Sequence, residues 1–146
     1  MEHYLLVRIL HSAPGVLLLL GLIAHGVMLF KAQRNADATV LARKLRVTLL
    51  FSFPAFAVLA LSLPVTGYWL VDTAGWPLGQ TWLLLGSILY ALMMLLGLLL
   101  AGRLAVWRAL GDTPAPTSLK RLCLIYAGLI LLLLIVIMAL MGAKPT

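Results

Sequence analysis

The stretch LCLIYAGLILLLLIVIMALM, Leu122 to Met141, runs for twenty residues without a charged side chain. A helix rises about 1.5 Å per residue, so such a run crosses the roughly 30 Å of hydrocarbon in a bilayer. Working outward, three more apolar runs of spanning length occur at Tyr4–Phe30, Val47–Val71 and Thr81–Gly102. Backbone groups in hydrocarbon must be satisfied within each segment, which leaves the helix as the economical solution. The expected fold is all-α: an integral membrane four-helix bundle with spans at about 4–30, 47–71, 81–102 and 122–141, forming one domain over 1–146.

Composition supports this class and excludes others. Of 146 residues, 64% are hydrophobic and 10% charged, against roughly 45–50% apolar in an ordinary soluble domain. A water-soluble globule, a disordered chain and a secreted disulfide scaffold are excluded, the last because Cys123 is the only cysteine. The formal charge is +7. The basic side chains flank apolar helices, so the partner they imply is the lipid bilayer and its anionic headgroups, with no nucleic acid.

Between the spans lie a basic stretch, Lys31 to Arg46, a short connection, Asp72 to Gln80, and a second basic stretch, Arg103 to Arg121. All three read as loops. Gly75, Pro77 and Gly79 mark the short one and Pro114 and Pro116 the last. Nine of the eleven Lys and Arg (Lys31, Arg34, Arg43, Lys44, Arg46, Arg103, Arg108, Lys120 and Arg121) fall in the two basic stretches and none in the short connection. The positive-inside rule then gives an N-out, C-out arrangement. The first run lacks a basic start, is longer than a signal-peptide core and precedes no exported domain, so it reads as a span. Pro14, Pro54 and Pro64 inside spans tend to kink them. Tyr68, Trp69, Trp76 and Trp82 read as an aromatic belt. No repeat, heptad run or GxxxG pair is apparent within the spans. Gly15, Gly21 and Gly26 offer small surfaces for close packing on the first helix.

No CxxC, glycine-rich phosphate loop, HExxH or pair of intramembrane carboxylates is present, which argues against hydrolysis and phosphotransfer. Glu2, Asp37, Asp72 and Asp112 lie at termini or in loops, so no carboxylate relay crosses the membrane. The first helix holds all three histidines, His3, His11 and His25. His11 and His25 are fourteen residues apart, which returns them to within roughly 40° of one face, about 21 Å apart in height. An ionisable side chain inside a span is a functional candidate, and imidazole is a common axial ligand of haem iron. On this reading His11 and His25 are metal ligands for haem b, and Arg8, one turn from His11, pairs with a propionate. The other spans contain no histidine, so a second ligand comes from Met138 or Met141, from a second copy in a homodimer, or is absent. The bland alternative is that each imidazole bonds a carbonyl or a neighbouring helix.

Leu10-His11, the run Pro64-Val65-Thr66-Gly67-Tyr68-Trp69, and Gly75-Trp76-Pro77-Leu78 leading to Trp82-Leu83 together resemble a bacterial family of four-helix membrane proteins, the domain of unknown function 2269 family. The resemblance covers nearly the whole chain and implies a multi-pass protein of the bacterial inner membrane, with no established activity. More distantly, the layout is similar to the membrane-bound protoporphyrinogen oxidase and to the copper-resistance D membrane domain. The oxidase family pairs a first-helix histidine, matching His11, with a lysine shortly after a Trp-Leu. Leu84, Leu85 and Gly86 follow Trp82-Leu83 here, so the lysine is missing and the oxidase activity is not carried over.

Three functional expectations follow. One is a b-type haem protein serving electron transfer or haem-linked oxidoreduction. The second is a non-catalytic accessory or assembly subunit of a larger membrane complex. The third is a small permease or metal-handling protein. Topology has a direct test. An impermeant thiol reagent applied from outside is expected to label a cysteine placed at Gly79 and to miss one placed at Ala38; the reverse pattern inverts the assignment.

Overall fold

The computed structural model describes residues 2–35 and 37–144. Its elements are α1 (Glu2–Gln33), α2 (Ala38–Val47), a π-helical turn (Thr48–Ser52), α3 (Phe53–Ala74), α4 (Thr81–Ala109) and α5 (Thr117–Ala143). Helix α2, the π-turn and α3 form one continuous rod, so four rods are long and apolar enough to cross a membrane. There is no strand among the described residues. Helix α1 pairs most extensively with α3, and α4 with α5. The two pairs meet through α1 against α5 and through α2 and the π-turn against α4. The start of α1, the end of α5 and the 75–80 connection lie at one end of the bundle, and the two basic connections at the other.

The basic stretches are shorter as loops than expected, because the helices run through them. Helix α1 continues to Gln33 and α4 to Ala109, and α5 begins at Thr117. Lys and Arg are good helix formers whose apolar stems can follow the bundle while their heads reach water. Most of Lys31–Arg46 becomes α2, an amphipathic helix whose Leu45 belongs to the core and whose Leu41 packs against it. Arg43 and Arg46 stay exposed. Asp37 caps α2, its carboxylate accepting from the Thr39 N–H at 3.0 Å and the Thr39 hydroxyl at 2.7 Å. Those two bonds, with a smaller contribution from Arg43, hold the Asp37 carboxyl below its ordinary pKa. A depressed carboxyl contributes stability above its unfolded pKa and loses it as pH falls through the folded one, so acid loosens the first turn of α2.

Each proline inside a helix leaves a carbonyl four residues earlier without its donor. For Pro64 that carbonyl belongs to Ala60, and the Tyr90 hydroxyl of α4 donates to it. Pro54 sits at the start of α3, where the π-turn lets the Phe53 N–H reach Thr48 O. A π-turn carries one extra residue and is a recognised way to absorb such a break. At the opposite end Gly75 adopts φ 67°, with Gly75 N–H to Asp72 O at 3.1 Å and Trp76 N–H to Val71 O at 3.0 Å closing α3. Only a residue without a Cβ takes this left-handed cap cheaply.

The core is a narrow seam. Met93, Leu100, Leu104 and Trp107 of α4 are buried against Leu119, Cys123, Ile130, Leu134 and Ile137 of α5. Their spacings of three, four and seven residues are those of a heptad seam. The sequence reading found no heptad because leucine occupies the lipid-facing positions as well. The expected aromatic belt also divides. Tyr68 and Trp69 are exposed, whereas Trp82 is only 3% exposed and packs edge to face with Trp76, with the Lys144 ammonium over both rings.

Tyr90→Phe leaves the Ala60 carbonyl without a donor and is expected to lower stability by on the order of 1 kcal/mol. Adding Pro64→Ala restores a helical N–H to that carbonyl. In equilibrium unfolding in mild detergent the double variant should therefore be more stable than Tyr90→Phe alone, and a double variant equally weak would refute the proline explanation.

Candidate functional site

The α1–α3 interface collects the histidines. Fourteen residues separate His11 from His25 on α1, and eighteen, or five helical turns, separate Thr66 from Thr48 on the opposing rod. The two pairs meet. His11 Nδ1 lies 2.9 Å from Thr66 Oγ1 and His25 Nδ1 lies 3.3 Å from Thr48 Oγ1. Both imidazoles thus face one neighbour, as their spacing implied. Each is a side-chain tie between helices.

The His11 tie continues into the α3 backbone. The Thr66 hydroxyl lies 2.8 Å from the Ser62 carbonyl and 3.3 Å from the Leu63 carbonyl. With its single hydrogen on one of these carbonyls, its oxygen accepts from His11 Nδ1–H, and the lone pair then falls on Nε2. Gly67 makes room for the ring, because a Cβ there would lie 3.0 Å from His11 Cε1. At His25 the partner Thr48 is 1% exposed and begins the π-turn. The His25 ring meets Phe56 edge to face with centroids 5.4 Å apart. Phe56 lies where a Cβ on Gly21 would stand, within 2.5 Å of its Cε1. Gly21 therefore serves close packing, as expected, and Gly15 comes near Leu63. Gly26 differs from both, since nothing lies within 4 Å of its Cβ position.

The remaining candidates are dispersed. Arg8 lines an open apolar groove of α1 with Leu5, Ile9, Ser12, Ala13, Val16 and Leu17. Three residues from His11, it sits about 60° around the helix from a ring that turns toward α3. Met141 reaches across to α4, its Cε 2.6 Å from where a Cβ on Gly86 would stand. Met138 is partly exposed on α5, and Met93 is core. Cys123 is buried and free. Among the described residues no three His, Cys, Asp or Glu side chains converge on a common point.

Chemically the arrangement offers an imidazole at His11 whose Nδ1 is backed by a hydroxyl–carbonyl chain, and a second imidazole in the other half of the bundle. Sequence reasoning found both histidines and missed Thr66, Thr48 and Ser62. The available signal was that two threonines interrupt an apolar span at a whole number of turns. It also missed Tyr90, whose signal was Pro64.

No curated protein and no solved structure matches the chain. A family model does match, over residues 5–145, and its description is predicted integral membrane protein, DUF2269. That match covers four apolar helices and nearly the whole chain, and the protein therefore belongs to the DUF2269 family of integral membrane proteins.

Proposed function

We propose that this is a bacterial inner-membrane protein that holds a b-type haem on His11 and serves electron transfer or haem-linked oxidoreduction. The observation that carries the reading is the 2.9 Å contact of His11 Nδ1 with the Thr66 hydroxyl, which itself lies 2.8 Å from the Ser62 carbonyl. A hydroxyl that accepts from Nδ1–H fixes the ring, raises the basicity of Nε2 and leaves its lone pair for iron, which is the usual support of a ligating histidine. The donor chemistry suits a haem better than a bare metal ion. No three His, Cys, Asp or Glu side chains converge among the described residues, and on this reading the protein contributes one or two axial groups and a porphyrin contributes the rest.

Within this reading His11 binds through Nε2, Thr66 and Gly67 orient it, and the surrounding apolar helices keep water away. His25, tied to Thr48 in the other half of the bundle, is the position for a second group. Arg8 pairs with an acidic substituent that reaches the open groove on α1. A haem, when bound, supplies one-electron chemistry. Because the other spans carry no histidine, a second histidine ligand requires a second copy packed through α1. Met141 is the alternative within one chain.

One observation favours the accessory-subunit reading instead: each histidine already has a structural job as a tie between α1 and the neighbouring rod. On that reading the apolar faces serve a larger membrane complex. The visible spectrum of the purified protein from haem-replete cells separates the two. The haem reading expects a Soret band that His11→Gln abolishes, because an amide does not replace imidazole on iron. Thr66→Val is expected to keep the haem and shift its reduction potential. A parent without haem supports the accessory reading, and an equal haem content with an unchanged spectrum in His11→Gln removes His11 as the ligand. In a purely structural role His11→Gln costs little, since interhelical bonds of this kind average ~0.6 kcal/mol.

A further inference from the structure

At the basic end of the bundle an open groove of about 420 Å³ runs between α1 and α5, lined by Gly26, Val27, Phe30, Lys31, Arg34 and Leu124. Its walls are apolar and face outward: Leu124 is 69% exposed, and Val27 and Phe30 are about half exposed. Gly26 keeps it open, with nothing within 4 Å of its Cβ position. Two cations close one end. The Arg34 guanidinium stacks on the Phe30 ring, 4.2 Å from its centroid. Stacking occupies the flat face of the guanidinium and leaves its in-plane N–H groups free to donate. Lys31 lies one turn earlier on α1. Arg121 stands three residues before Leu124, on the same side of α5 and one turn nearer the basic end. The acidic side chain nearest in sequence, Asp37, is engaged by Thr39.

We infer that this groove is a binding site for one anionic phospholipid of the leaflet at the basic end. An acyl chain lies along Gly26, Val27 and Leu124, and the phosphate is held by Arg34 and Lys31. Charge complementarity selects this occupant. An apolar trough that ends in two or three cations at headgroup depth matches a lipid that is apolar along its length and negative at its head. A zwitterionic lipid brings an ammonium beside its phosphate and leaves the excess positive charge unbalanced, and a free anion leaves the trough uncovered.

The test uses the full-length protein reconstituted in phosphatidylcholine vesicles that contain phosphatidylglycerol as a minor component. The protein is re-extracted in mild detergent, and the retained lipid is quantified by mass spectrometry. The parent is expected to retain phosphatidylglycerol enriched over its share of the vesicle. Lys31→Gln with Arg34→Gln is expected to weaken that retention by roughly 30-fold, the product of a roughly fivefold effect for each cation near a charged surface. Gly26→Leu, which fills the trough without touching a charge, should abolish the enrichment, and Leu124→Trp provides the same test from the opposite wall if the first variant fails to fold. Arg43→Gln with Arg46→Gln removes equal charge from α2 and should leave retention intact. Excess inorganic phosphate should not displace the lipid. The site is overturned if the parent shows no enrichment, if the α2 pair loses as much as the groove pair, if folded groove-filling variants retain lipid as the parent does, or if phosphate alone displaces it.

Discussion

A backbone carbonyl without a donor inside hydrocarbon is costly, because no water is present to replace the missing bond. Prolines in the spans of this chain create that problem, and at Pro64 and Pro54 the structure answers it in particular ways. Tyr90 crosses from α4 to cover the Ala60 carbonyl freed by Pro64, which joins the two helix pairs at mid-bundle. The π-turn at Thr48–Ser52 takes up the break at Pro54 and rotates Thr48 inward. Repairing the backbone therefore also decides how the rods are placed against one another. The histidine ties depend on that placement.

The α1–α3 interface shows how packing and chemistry share residues. Gly21 and Gly67 let the helices come close enough for Phe56 and His11 to lie against backbone. Thr66 then does two things with one hydroxyl, donating to Ser62 and accepting from His11. In apolar surroundings such chains are stronger than in water, and they hold an imidazole in one orientation. The bonds that make His11 a tie between helices use Nδ1 and do not engage Nε2. A structural role and a ligating role are for that reason both consistent with the same bonds, and cofactor content is the property that distinguishes them.

The two ends of the bundle differ in charge and in surface. One end carries exposed Tyr68 and Trp69 and the stack of Trp76, Trp82 and Lys144. The other carries nine of the eleven cations against the acidic residues Asp37 and Asp112. Helix α2 lies at that second end, with apolar residues on the core and Arg43 and Arg46 outward, so the basic surface is presented by ordered helix rather than by loose loop. The groove between α1 and α5 opens onto the same surface, and that is what gives an otherwise ordinary apolar trough a charge preference.

Hydropathy by itself determined the class of the protein, the number of rods and their approximate limits, because twenty apolar residues cross a bilayer whatever they pack against. Helical periodicity also determined that His11 and His25 share a face, since that geometry is local to α1. Only the tertiary structure decided what that face meets. Thr66, Thr48 and Gly67 belong to a rod whose rotation and depth no local pattern reveals. It also turned Trp82 inward where composition placed it in a belt, and converted most of Lys31–Arg46 into helix. The heptad seam between α4 and α5 was hidden for a related reason. In a membrane both the core and the lipid are apolar, so leucine marks neither side, and the buried face becomes visible only when the neighbouring helix is in place.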